Sequence, residues 1–523
     1  MRRSRLALVT LILFGAFVVR AVSLDAQSLW RDEVDALCYA YAFPQAIASA
    51  IAPQPDGAAA PPCACPPSPV DVGARQRFDL VPRLVQTLKA TIRHNGPLHY
   101  VLLRGWIALA GTSVTALRFF SLWFGVLSVA LMAALGRRLF GREAGVIAAL
   151  LAAASPYFVW YSQDAKMYTL VLALVLLAVY ALRRAVEGAG ARWWAVQIAA
   201  TTLLLYTHAW GGLLIPVQVG LFLAWWPQAR RQVRGGVISL NLLTLPYLPL
   251  LTTWPIVQLF TPGDTGFPRH TLGQMFGIVF KGWSTGIWGW GWPWGGIALG
   301  TAALLGLAGA VVLPGRRAHR RTAAGLAVWA ALPLTAIWFI SLWQPRFTDR
   351  YLIWSAPALY LLAAAGLSLL WEKGRAAAGM LLVALVVAFL GNVLYQATTP
   401  IKSDFRAAAD IVSEQYAPGD VIVFQIPHGR YTFDYYYPHA DYAWIEGLYT
   451  NHTAPDGSYL LSQQQAGAYV NEAVRPYGRV WLVATEVDMW DRRHLVQAWL
   501  DAHGTPVLRQ TVALIEVTLY DLP

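Results

Sequence analysis

Long apolar runs alternate with short polar connections over the first three quarters of the chain. Runs close to the ~20 residues needed to cross hydrocarbon fall at roughly 6–23, 115–135, 143–160, 167–182, 193–208, 211–227, 236–254, 293–313, 322–343, 351–370 and 376–397. They predict a mainly α, polytopic membrane protein of about eleven transmembrane helices. From about Thr398 the pattern changes. Phe405 to Gln415 has helical periodicity, Asp420 to Gln425 and Arg479 to Thr485 read as buried strands, Arg492 to His503 as a helix and Thr511 to Leu519 as a strand. The expectation is a transmembrane domain at 1–397 and a C-terminal soluble α/β domain at 398–523.

Charge orients the spans. Arg2, Arg3 and Arg5 precede the first; Arg137, Arg138 and Arg142 join the second to the third, and Arg183, Arg184 and Arg192 the fourth to the fifth. Arg230, Arg231 and Arg234 come next, then Arg316, Arg317, Arg320 and Arg321, then Lys373 and Arg375. Every second connection is short and basic, which places those connections in the cytoplasm. Counting the apolar stretch Pro97 to Gly111 as a span would invert everything after it, so it is expected along the outer interface as a juxtamembrane helix, inside a first outer loop of 24–114. The N-terminus is then cytoplasmic and the C-terminal domain extracytoplasmic, in a cytoplasmic (inner) membrane. The basic start followed by Leu6 to Val22 also fits a signal peptide; the many later spans and the lack of a clear small-residue cleavage site favour an uncleaved first span. The Pro-rich insert Ala58 to Val70 is expected to be poorly ordered.

Composition narrows the function. With 57% hydrophobic and 13% charged residues, the chain is no ordinary soluble protein. A net charge of +12 would suit nucleic acid only if Lys and Arg gathered on one face or stripe, whereas here they sit between apolar runs. The 24 Trp and 23 Tyr suit the headgroup layer. Cys38, Cys63 and Cys65 match no zinc spacing; a disulfide from Cys38 to Cys63 or Cys65 and unpaired thiols both remain open.

The outer connections carry the chemistry: Trp30-Arg-Asp-Glu-Val-Asp35, His94-Asn-Gly-Pro-Leu-His99, Tyr161-Ser-Gln-Asp-Ala-Lys-Met-Tyr168, Tyr206-Thr-His208, Pro255 to Trp292, and Gln344-Pro-Arg-Phe-Thr-Asp-Arg-Tyr351. The spans themselves hold almost no ionisable side chains. An ion-coupled transporter keeps such groups near the bilayer midplane, so this pattern favours chemistry at a lipid headgroup. Carboxylates beside cations suit transfer of a group from a lipid-linked phosphate: a carboxylate takes the proton of an attacking hydroxyl, and cations stabilise the departing phosphate.

The run from Trp30-Arg-Asp-Glu33 through Gly96-Pro-Leu-His-Tyr100, Ala116-Leu-Arg118, Gly136-Arg-Arg-Leu-Phe-Gly141 and Ser155-Pro156 to Tyr161–Tyr168 resembles the GT-C glycosyltransferases. It is most similar to the bacterial family 39 type, related to protein O-mannosyltransferases and lipid A aminoarabinose transferases. Arg350-Tyr351 and Ser403-Asp-Phe-Arg406 resemble that family too. The resemblance implies a GT-C fold, a polyprenyl-phosphate sugar donor and inversion at the anomeric carbon. It places the catalytic base on Asp32, with Glu33 beside it. This sequence departs from the pattern in the Cys/Pro insert, in His94-Asn-Gly-Pro-Leu where a Pro pair is usual, and in Asp164 and Lys166 where Glu and Arg are commoner.

Donor-phosphate or substrate-binding candidates are His94, Asp164, Lys166, His208, Arg346, Arg350 and Tyr351, with Lys166 and Arg350 favoured as phosphate partners. Their bland alternatives are interfacial anchors, loop caps and an exposed ion pair. The histidines lack helix-spaced ligand patterns; a divalent metal (Mg, Mn or Zn), if used, would be held by Asp32, Asp164 and His208. Tyr431 to Tyr449, including Tyr435-Tyr-Tyr437, suits packing more than sugar stacking, and Asn451-His-Thr453 fits a glycosylation sequon weakly. The acceptor would be a glycan, lipid or protein. Two rivals remain: a polyprenyl-linked glycan polymerase or ligase, for which the Pro255–Trp292 loop offers only Arg269, His270 and Lys281, and a lipid-linked sugar flippase, which needs a polar pathway.

Overall fold

The computed structural model describes residues 2–40, 96–245, 267–287, 294–313, 317–439, 441–453 and 457–523. They form two compact units: residues 2–24, 96–111 and 115–397 in the first, residues 25–40, 112–114 and 398–523 in the second. The start of the first outer loop thus goes with the C-terminal tail.

The first unit is helical. Among the described residues, six helices are long and apolar enough to cross a membrane: Val114–Phe140, Tyr168–Val186, Trp294–Val312, Arg317–Ser341, Asp349–Lys373 and Arg375–Thr398. Two bent pairs would raise this to eight. The expected third span is one of these, Arg142–Ala154 and Pro156–Ser162 meeting at 58°. The other joins Ala209–Ala224 to Trp226–Leu243 at 87°, where the sequence suggests two separate spans. Ala7–Ala21 is apolar but shorter, and Ala191–Leu205 has 15 residues, about 22 Å at the helical rise. The expected juxtamembrane segment is a helix, Pro97–Ala110.

The 58° break has a local cause. A residue before proline is pushed out of the helical region, and Ser155 adopts φ −54, ψ 118. Its Oγ accepts from the Phe158 amide at 3.1 Å, capping the new helix. Pro156 has no N–H, so the Ala152 carbonyl loses its usual partner. Arg20, fully buried, supplies the missing donors: Nη2 to Ala152 O at 3.0 Å and Nη1 to Ala153 O at 2.9 Å. Its Nε donates to Ser162 Oγ at 3.0 Å beyond the break. Elsewhere the unit packs on small residues: a Cβ on Gly366 would lie 2.0 Å from Ala302 O, and one on Gly306 2.2 Å from Leu362 O.

The second unit is built on a five-stranded sheet in the order β2-β1-β3-β5-β4. Its strands are β1 Val421–Phe424, β2 Ala443–Glu446, β3 Arg479–Thr485, β4 Thr505–Val512 and β5 Ile515–Asp521. β1 pairs in parallel with β2 and β3, in register Val421 with Ala443 and with Val480; β5 runs antiparallel to β3 and β4. Alternation sends Ile422, Phe424, Trp481 and Val483 to one face with helix Phe405–Gln415. Val421, Val423, Val480 and Leu482 go to the other, against helices Gln463–Val474 and Leu495–His503.

Helix Phe405–Gln415 and the strands at 421–424 and 479–485 match the expectation from sequence. The single strand expected at Thr511–Leu519 is instead a hairpin, turning at Ala513 with φ +50. β4 was hidden because most of its residues are exposed and carry no apolar alternation. β2 has four residues and escaped for the same reason.

Candidate active site

In the second unit, residues 31–40 are helical and present the acidic pair. The loop before them is stitched to the start of the tail. Gln27 Oε1 accepts from the Ile401 and Lys402 amides, Ser28 Oγ donates to Ser403 O at 2.7 Å, and Arg406 bonds Asp25 at 2.8 Å. Asp404 caps the following helix through the Ala407 amide. Glu33 is fully buried; its Oε2 accepts from Lys402 Nζ at 2.8 Å and from the Trp30 amide at 3.3 Å. Asp32 retains 9% exposure, and its ion pair with Arg31 Nε spans 3.7 Å.

Arg31 is itself held. Its Nη1 lies 2.8 Å from His428 Nε2 and 3.2 Å from Glu486 Oε2, and its guanidinium sits 5.9 Å from the Trp490 ring centre. The other ring nitrogen of His428, Nδ1, lies 2.6 Å from Tyr449 Oη. Burial raises the Glu486 carboxyl, but the His428 hydrogen bond, Arg31 and Trp490 outweigh it and hold it below its ordinary 4.5. Sequence reasoning passed over His428, Glu486 and Trp490; each follows the end of a parallel strand or its helix, which a strand prediction alone does not bring together.

In the first unit a cluster forms where Pro97–Ala110, the 163–167 turn, the 206–208 turn and the 3-10 turn Asp349–Ser355 meet. Gly96 makes the first junction. It adopts φ +89, and a Cβ there would lie 1.9 Å from Thr207 O; the adjacent Leu98 amide donates to Tyr206 O at 2.9 Å. His99, Asp164, Lys166 and His208 are all buried. The Lys166 amide donates to Asp164 O at 2.7 Å, closing the turn, and Ser121 Oγ donates to Lys166 O at 3.1 Å.

His208 lies in the turn after helix Ala191–Leu205. Its Nδ1 accepts from the Trp210 amide at 3.3 Å, and its buried Nε2 has no hydrogen-bond partner among the described residues. Burial first, then the charges of Arg350 and Lys166, lower its imidazole to about 3. A neutral ring accepting at Nδ1 carries its proton on Nε2, so His208 is an uncharged donor beside two cations. The Tyr351 ring stands edge-on to it at 5.1 Å. His99 is lowered to about 3 by burial and by Lys166. Tyr157 Oη donates to Asp349 O at 2.9 Å, and Tyr157, Tyr161 and Tyr168 form an edge-to-face series.

Lys166, Arg350, Tyr351 and His208 therefore come together, with Asp164 on the same turn. Arg346 has its Nε and Nη2 both on Gln344 Oε1. His94 lies outside the described residues, as do the Pro-rich insert, Cys63 and Cys65; Cys38 is disulfide-bonded. Tyr435, Tyr436 and Tyr437 serve packing and hydrogen bonding: Tyr435 Oη donates to Thr112 O at 2.7 Å, Tyr436 Oη accepts from the Leu29 amide at 2.6 Å, and Tyr437 is buried in the core. Among the described residues no three His, Cys, Asp or Glu side chains are grouped to hold a metal, so Asp32, Asp164 and His208 do not form the set suggested from sequence. The tyrosine series was visible in sequence only as aromatic residues at 157, 161 and 168, which helical spacing alone would assign to packing.

Residues 94–254 match the dolichyl-phosphate-mannose-protein mannosyltransferase family. No curated protein matches the sequence. Among solved structures, ArnT from Cupriavidus metallidurans in the apo state is 15% identical with a TM-score of 0.54, over 98% of this chain and 97% of that one. The same protein bound to undecaprenyl phosphate gives a TM-score of 0.53 at 15% identity and the same coverage. The oligosaccharyltransferase AglB from Archaeoglobus fulgidus, in complex with an inhibitory peptide and a dolichol-phosphate, is 11% identical with a TM-score of 0.57, over 99% and 74%. The chain shares its fold with these solved structures.

Proposed function

We propose that this enzyme is an inverting glycosyltransferase that moves a sugar from a polyprenyl-phosphate donor to an acceptor hydroxyl at the outer face of the cytoplasmic membrane. The observation that carries the proposal is the grouping of buried Lys166, half-buried Arg350 and His208 with its open Nε2. Two cations and a neutral donor suit a phosphate that gains charge as it leaves. The solved relatives bound to undecaprenyl phosphate and dolichol-phosphate support the same ligand class.

The chemistry balances in one displacement. Asp32 takes the acceptor hydroxyl proton, the acceptor oxygen bonds the anomeric carbon from the opposite face, and the bond from that carbon to the phosphate oxygen breaks. The electron pair goes to the phosphate, held by Lys166, Arg350 and His208, and polyprenyl phosphate departs. Asp32 fits the base better than Glu33, whose carboxylate is occupied by Lys402. The basic connections support a cytoplasmic N-terminus and an extracytoplasmic C-terminal domain.

The test incubates purified protein with a panel of polyprenyl-phosphate sugars and cell-envelope acceptors. One donor should be consumed with release of polyprenyl phosphate. Movement of labelled lipid across the bilayer without bond cleavage would replace transfer with flipping, and lengthening of a lipid-linked glycan would replace it with polymerisation.

A further inference from the structure

The carboxyl ends of β1 and β2 border a cavity, well separated in sequence from the phosphate-binding residues. It has a volume of about 580 Å³, and Pro427, Glu446, Tyr449, His452, Leu461 and Tyr469 contribute to its lining. That volume falls within the ~300–1,000 Å³ of ordinary small-molecule sites. Its position follows from topology. β1 and β2 are parallel neighbours, so Pro427 after β1 and Glu446 to Tyr449 at the end of β2 reach the same end of the sheet. In open α/β sheets, ligands bind beyond the carboxyl ends of the strands.

We infer that this cavity is a carbohydrate-binding cleft for a neutral oligosaccharide. Tyr449 is a fixed platform: His428 Nδ1 lies 2.6 Å from its Oη, with the two rings stacked, and Trp490 packs on its ring at 5.0 Å. His452 stands edge-on at 6.3 Å. Tyr469 is 41% exposed and is held by its Oη donating to Glu446 O at 2.9 Å. A sugar places its C–H face on such rings, and its hydroxyls need acceptors and donors, which the exposed Glu446 carboxylate and the His452 imidazole supply.

The lining argues against other ligands. Among the described residues it contains no lysine or arginine, and Glu446 would repel a phosphate or an anionic headgroup. A peptide adding to the sheet edge would need the carbonyl at the end of β2, which Tyr469 already occupies, and β2 has only four residues. The choice of a glycan rests on the transferase reading above.

The test uses full-length protein in lipid nanodiscs and saturation-transfer NMR. The probes are neutral oligosaccharides of glucose, mannose, galactose, N-acetylglucosamine and arabinose. At least one should bind, and Tyr469→Ala and Glu446→Gln should each weaken it about tenfold or more. Binding of none, equal binding by both variants, or displacement by an unglycosylated peptide would overturn the cleft. Release of polyprenyl phosphate is followed in the same preparations. Oligosaccharide binding that Tyr469→Ala abolishes, in a protein that consumes no donor, would sink the transferase reading and leave the cleft standing. Donor consumption without oligosaccharide binding would do the reverse.

Discussion

The two neighbouring acids at 32 and 33 have been given different work by their surroundings. Glu33 closes a buried pair with Lys402, while Asp32 keeps some access to water. Removing one partner of a buried pair typically costs ~3–5 kcal/mol because the other charge is stranded. Glu33→Gln should therefore lower the unfolding midpoint in thermal melts, with activity falling as folded protein is lost. Asp32→Asn should leave the melt nearly unchanged and reduce transfer by ~10²–10⁴, the usual share of a general base. The reverse pattern would move the base to Glu33.

Glu486 offers a pH test at the same scale. Its folded carboxyl titrates below its ordinary 4.5, so the folded state binds fewer protons than the unfolded one there. The contribution of Glu486 to stability is complete above that ordinary value and is lost as pH falls through it toward the folded value. The gap in stability between the parent and Glu486→Gln should hold constant above about pH 5.5 and narrow below about 4.5. A gap that widened on acidification would show that His428 and Arg31 do not hold this carboxylate.

Elements show why some of the architecture could be read in advance. Ser155-Pro156 announces a broken helix, and Arg20 can be understood only once that break exists, since it bonds the carbonyls the proline abandons. In sequence Arg20 is merely a charge at the end of an apolar run. Helix Phe405–Gln415 and β1 and β3 were legible because their apolar periods are clean and their faces buried. β4 was not, being an exposed strand next to a turn at Ala513. Among candidate residues, Lys166 and Arg350 could be named from charge, but the partner of Glu33 lies 369 positions away at Lys402 and no local pattern points to it. Two substitutions test these elements. Gly96→Ala should impair folding of the first unit, because it sets a side chain at φ +89 and against Thr207 O. Trp481→Ala, which empties a fully buried site and removes the bond to Asp420, should cost about 3–5 kcal/mol in denaturant unfolding.

For the whole molecule, the arrangement of basic connections predicts which surfaces meet which compartment. Single cysteines placed at exposed positions 142 and 231 should react with an impermeant thiol reagent only after the cells are opened, and ones at 111 and 501 in intact cells. Any mixed result would remove the proposed sidedness while leaving the fold in place. Sidedness matters because the donor's sugar must be presented where the acceptor is.

The proposed reaction itself is met most directly by following a single donor through one turnover. Purified enzyme, given a polyprenyl-phosphate sugar of known anomeric configuration and its acceptor, should release polyprenyl phosphate and yield a glycoside of opposite configuration by NMR. Asp32→Asn should bind the same donor and release almost nothing. A product that retained the donor's configuration, or full turnover by Asp32→Asn, would contradict the account.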